Sequence, residues 1–208
     1  MTGLPAKILA VHASLDAAGI PHAFGGALAL AWCTERARGT IDIDVNVFVS
    51  VDRTRQVLAA LPDGVAWTDG DADQIERDGQ ARLWWDTTPV DVFLDTTEFH
   101  VQAATRSRRE RFAGAEVPFL SCSDLAVFKA FFNRTKDWAD LEEMAAVGTL
   151  DVDRTLGVLV RYLGADDERV GRLRALASGP IPSGPIPSRA VGTDAARSDG
   201  GPTGRTAP

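Results

Sequence analysis

Cysteine is nearly missing from this chain. Its 208 residues include two, Cys33 and Cys122, in neither a metal-type nor a redox-type spacing. That excludes a disulfide-dense scaffold and predicts two reduced, part-buried thiols of a cytoplasmic protein. Histidine is also scarce, and His12, His22 and His100 lie far apart without ligand spacing. Basic charge is in deficit: 22 lysines and arginines face 29 acids, a net −7. Wholesale electrostatic binding to nucleic acid or an anionic membrane is therefore not favoured. No apolar run approaches the ~20 residues a membrane helix needs, and the first twenty residues lack the charged flank and apolar core of a signal peptide. No membrane partner is expected. What remains, 45% hydrophobic and 25% charged, is ordinary globular composition. It is enough for one compact domain, or one with a helical appendage.

The most informative stretch runs from Phe24 to Val49, FGGALALAWCTERARGTIDIDVNVFV. Gly25 and Gly26 free the backbone for a tight turn and for close approach by a ligand. The helix expected over 27–36 offers its N-terminal N–H groups and positive dipole end to an anion. The strand expected over 41–49 alternates. Ile41, Ile43, Val45, Val47 and Val49 point one way, and Asp42, Asp44 and Asn46 point the other. Two carboxylates ~7 Å apart on one strand face suit a hard cation such as magnesium. A solvent-facing edge strand would show the same alternation, but the strongly apolar flanks argue for a central strand.

Around that stretch, helical spacing runs over 5–18 and 51–61, and short strands are expected at 22–24 and 64–68. The acidic segment 69–79 reads as a short helix or loop. Strands at 81–86 and 90–95 flank Thr87-Thr88-Pro89, a helix is expected over 98–106, and 109–112 and 116–120 form a hairpin turning at Ala113-Gly114. From Ser123 the pattern is helical to about residue 177, with Ser121 or Ser123 as N-cap. Residues 178–208 are rich in Gly, Pro and Ser, with a tandem SGPIP, and read as a disordered tail.

A third carboxylate comes from the strand at 90–95. Asp91 is favoured because valines flank it mid-strand, while Asp86 and Asp95 compete for the role. Lys129, beside an apolar stripe of Leu125, Phe128 and Phe132, is placed to reach a phosphate or to snorkel past core residues. Arg134, Lys136, Asp137 and Asp140 read as a solvated helix start. The basic run 106–112 reads as a solvated strand more than as a backbone-binding patch.

The succession Gly25-Gly26, apolar helix, Arg38-Gly39-Thr40-Ile41-Asp42-Ile43-Asp44 and then Asp91 resembles the nucleotidyltransferase superfamily sharing the DNA polymerase beta fold. Within it, PFLSCSDLAVFKAFFNRTKDWADLEEM extends the likeness to the AbiEii-type enzymes, which include toxins of type IV toxin–antitoxin systems. The likeness covers roughly residues 20–147. It implies an α+β nucleotidyltransferase fold, a mixed twisted β-sheet flanked by helices (1–122), with a C-terminal helical part (123–177). It implies Mg²⁺, one ion or two, held by Asp42, Asp44 and Asp91, with Asp91 as base. It implies a nucleoside triphosphate such as ATP bound by Gly25, Gly26, Arg38, Thr40 and Lys129. The implied acceptor is a hydroxyl of tRNA, a protein or a small molecule, and an antitoxin partner is possible in principle. Two departures stand out. The first motif is Gly-Gly where many members have Gly-Ser, and the basic, Trp-containing C-terminal motif of the longer toxins has no counterpart.

Overall fold

The computed structural model describes residues 3–36 and 39–179. Arg38 and the tail expected over 178–208 fall outside that range, apart from the tail's first two residues. Seven strands form one mixed sheet, β1 (His22–Phe24), β2 (Ile43–Ser50), β3 (Val65–Ala66), β4 (Gln80–Trp85), β5 (Thr88–Asp95), β6 (Arg108–Phe112) and β7 (Ala115–Phe119), in the order β3-β4-β5-β2-β1-β7-β6. The helices are α1 (Leu4–Ala17), α2 (Gly26–Thr34), α3 (Thr54–Ala59), α4 (Asp69–Asp78), α5 (Glu98–Ala104), α6 (Cys122–Phe132), α7 (Thr135–Ala146), α8 (Val152–Leu163) and α9 (Glu168–Ser178). The expected mixed sheet, flanking helices and helical C-terminal part are all present.

The centre of the sheet follows from composition. Val45, Val47, Val90 and Val92 are β-branched and fully buried, the signature of strands covered on that face. β2 and β5 run parallel and pair Ile43 with Val90, Asp44 with Asp91 and Asn46 with Phe93. β1 lies antiparallel on the other side of β2, pairing Phe24 with Val45. The β4–β5 hairpin turns at Asp86, whose φ is 53°. Buried Lys7 of α1 holds that turn through the Trp85 carbonyl (2.7 Å), Asp86 and Thr88. The β6–β7 hairpin turns at Ala113-Gly114, both with positive φ, the twist-matched two-residue turn. The segment 69–79 is a helix because Thr68 and Asp71 close a capping box at its start and Gly79 ends it in the left-handed region.

Three expectations need correcting. β2 begins at Ile43, so Ile41 lies before it and is 71% exposed where alternation placed it in the core. Cys33 and Cys122 are not free thiols: they form a disulfide, with Cα atoms 5.5 Å apart. Packing of α2 against the start of α6 brings them together across 89 residues. His12 and His22 are likewise neighbours, with Nδ1 of one 2.8 Å from Nε2 of the other, because α1 lies over β1. The basic run forms the sheet-edge strand β6, four strands from β5 in the sheet order, and its Arg108 pairs with Glu110.

Candidate active site

The glycine turn is built around Asp44. Gly25 N–H donates to the Asp44 carbonyl at 2.9 Å, and Gly26 adopts φ +54°. A Cβ on Gly26 would collide with the Asp44 carboxylate, and one on Gly25 would meet the Asn46 amide at 2.9 Å. This explains the departure from Gly-Ser: a serine at residue 26 would occupy the space that the carboxylate takes. α2 starts immediately behind the turn, so its unpaired N–H groups face the same cleft.

That cleft has a volume of about 400 Å³, and Gly26, Thr40, Asp42, Asp44, Lys129 and Arg134 are among the residues lining it. Asp44 and Asp91 sit directly opposite each other on β2 and β5. Of the three candidates, register therefore places Asp91 beside Asp44. Asp86 lies on the hairpin turn with Lys7, and Asp95 lies at the far end of β5. Asp42 precedes the strand, and Thr40 positions it by accepting the Asp42 N–H at 3.2 Å. The Thr40 hydroxyl is thus engaged with the Asp42 backbone, N–H and carbonyl alike, rather than free. Burial first, then repulsion from Asp91 and Asp42, raises the Asp44 pKa to about 6; Lys129 and Lys136 oppose the shift.

The three carboxylates do not stand around an empty centre. Arg82, opposite Asp91 on β4, donates to both Asp91 oxygens at 2.7 Å. It also lies 3.9 Å from Asp42. Among the described residues, no group of three or more His, Cys, Asp or Glu side chains is gathered to hold a metal ion. Arg82 thus pairs with Asp91 and approaches Asp42, and no ion pair joins it to Asp44 among the described residues. Sequence reasoning passed over Arg82, although alternation on the strand before Asp91 would have put it on the Asp91 face.

On the far wall, Lys129 is buried and donates to Asp140 at 2.6 Å, with Asp137 at 4.0 Å. Arg134 holds both Asp137 oxygens and stacks over Phe132 with its guanidinium carbon 4.8 Å from the ring centroid. Lys136 completes a basic rim. These side chains, expected as a solvated helix start, line the cleft. Asp137 and Asp140 are buried because each answers a cation there. His100 is elsewhere: it lies beside Asp95 with Nδ1 at 3.6 Å, beyond hydrogen-bond range.

No family model matches the chain, and no curated protein matches it either. Solved structures do. A crystal structure of ANT(2")-Ia in complex with adenylyl-2"-tobramycin superposes with a TM-score of 0.51 at 18% identity, covering 84% of this chain and 96% of that one. A solution structure of the antibiotic-resistance factor ANT(2'')-Ia gives 0.45 at 16% identity, over 82% and 89% of the two chains. A nucleotidyltransferase-like protein from Paracoccidioides brasiliensis gives 0.46 at 14%, over 81% and 85%. The sheet and helices of this chain thus form a nucleotidyltransferase fold.

Proposed function

We propose that this chain transfers the nucleotidyl group of a nucleoside triphosphate to a hydroxyl acceptor, releasing pyrophosphate. The observation that carries the reading is the pairing of Asp44 with Asp91 on adjacent parallel strands, facing a glycine turn that admits the Asp44 carboxylate only because residue 26 has no side chain. The donor chemistry fits magnesium: three hard carboxylates, two of which already attract a guanidinium, the third raised to a pKa of about 6 by burial first and then by the other two. Asp42, Asp44 and Asp91 would hold the ion. When bound, magnesium neutralises phosphate oxygens and makes the α-phosphorus more electrophilic.

The triphosphate fits the opposite wall, where the Gly25-Gly26 backbone and the first turn of α2 offer N–H groups and Lys129, Arg134 and Lys136 supply positive charge. The acceptor oxygen forms a bond to the α-phosphorus as the bond to the β-bridging oxygen breaks, and pyrophosphate leaves with that electron pair. The hydroxyl proton passes to Asp91, which must first exchange its hold on Arg82. The basic rim balances charge that develops on the leaving oxygens.

Incubation with α-labelled nucleoside triphosphates and Mg²⁺, against tRNA, whole-lysate protein and small hydroxyl compounds, tests this. Label should move to one acceptor class, and Asp42→Ala and Asp44→Ala should abolish both transfer and pyrophosphate release. Tight nucleotide binding with no transfer to any acceptor would instead describe a nucleotide-binding module without turnover.

A further inference from the structure

Asp91, Phe93 and Asp95 share one face of β5, since Val90, Val92 and Leu94 are buried on the other. Following that face away from the carboxylates leads to a second cavity of about 240 Å³. Phe93 and Phe132 pack at 5.6 Å between centroids and, with Gln80, line both this cavity and the recess that holds Arg82 and Asp91. The two spaces therefore meet at that ring pair. Beyond it the walls are Phe99, Phe128, Phe131 and Tyr162, which come from three different helices. No lysine or arginine lines the cavity, and its one carboxylate, Asp78, is engaged by Arg77.

Among the cavity's lining residues is His100. Its side chain is 5% exposed, and its Nε2 has no hydrogen-bond partner. Nδ1 faces the Asp95 carboxylate at 3.6 Å, and the neutral ring that carries its proton there leaves Nε2 as an acceptor. The OH of Tyr162 is already an acceptor for the Phe99 N–H at 3.1 Å. A buried acceptor left without a donor is costly and marks where a ligand donor fits.

We infer that this cavity takes the acceptor substrate, an uncharged aromatic alcohol whose reacting hydroxyl reaches Asp91 and whose far end donates a hydrogen bond to His100. The strand sets its length: four residues separate Asp91 from Asp95, ~13 Å by strand rise. Aromatic walls favour flat rings over sugars, and the absence of an unpaired acid in the lining disfavours a polyamine. The inference rests on the nucleotidyl-transfer reading for the role of acceptor, and on the cavity alone for the ligand class.

The test uses the full chain and titrates para,para-dihydroxybiphenyl, para-hydroxybiphenyl and tobramycin by calorimetry, with circular dichroism confirming the fold of each variant. The diol should bind roughly tenfold tighter than the mono-ol, the worth of one buried hydrogen bond. His100→Phe should erase that preference, and Phe132→Ala, at a half-exposed position, should weaken both biphenyls by roughly tenfold. No biphenyl binding to folded protein, binding indifferent to both variants, or a preference for tobramycin each overturns the proposal. Magnesium–ATP titrated into the same samples reports on the transfer reading separately. Lost biphenyl binding with ATP binding intact removes the aromatic site alone; lost ATP binding with biphenyl binding intact removes the transfer reading and the acceptor role with it.

Discussion

At one end of β5, Asp91 lines a polar recess with Arg82 and Arg134. At the other end, on the same face, Asp95 is buried with His100 Nδ1 3.6 Å from its carboxylate. The first acid is matched by charge. The second is left to burial, which raises its pKa to about 6, while burial pushes His100 down to about 4. One strand thus presents the same residue type to two environments, one matched by charge and one by burial.

The comparison breaks most sharply at the polar end. Asp44→Asn leaves the side-chain volume in place but removes a charge needed to hold the metal ion, and transfer should fall by roughly 10³-fold, several kcal/mol of transition-state stabilisation. Steady-state pyrophosphate release measures it, with the melting temperature confirming an intact fold.

The second prediction sharpens the other end. Asp95, with its folded pKa raised, contributes stability that is present below pH 4 and lost as pH rises through 6. His100, with its folded pKa lowered, contributes stability that is present above its ordinary 6.5 and lost as pH falls towards 4. Between pH 4 and 6 the two slopes oppose each other. Relative to wild type, His100→Phe should therefore lose stability with rising pH across that window, and Asp95→Asn should gain it, each by up to about 3 kcal/mol. Urea melts at pH 4, 5 and 6 read this out, and slopes of the same sign would refute it.

Gly26→Ser should cost about 2 kcal/mol in stability from its left-handed backbone alone, and more in nucleotide affinity because the new side chain displaces the Asp44 carboxylate. Thermal melts paired with a nucleotide titration separate the two losses. The smallest effect is expected at Arg82. Arg82→Gln removes a competitor for Asp91, and Mn²⁺ affinity by spin resonance should rise about fivefold, modest because the guanidinium is half-exposed. A fall in affinity would make Arg82 a support for the ion and not its rival.

Local features were legible in the sequence, and cross-strand ones were not. Gly25-Gly26, the helix after it and the strand that carries Asp44 lie within one short stretch, so their pattern carries their geometry, whereas Asp42, expected on that strand, precedes it. The choice among Asp86, Asp91 and Asp95 depended on how β2 and β5 align, which no spacing within either strand reveals. Arg82 reaches Asp91 across a hairpin, His12 reaches His22 from a helix onto a strand, and Cys33 reaches Cys122 over 89 residues; each needs the packed fold. The aromatic cavity draws its rings from a strand and three helices, and in the sequence those phenylalanines look like ordinary core.

The Cys33–Cys122 bridge bears on how the cleft breathes. One half-cystine ends the helix that starts at the glycine turn, and the other begins the helix that carries Lys129. Tethered in this way, the two jaws cannot swing apart.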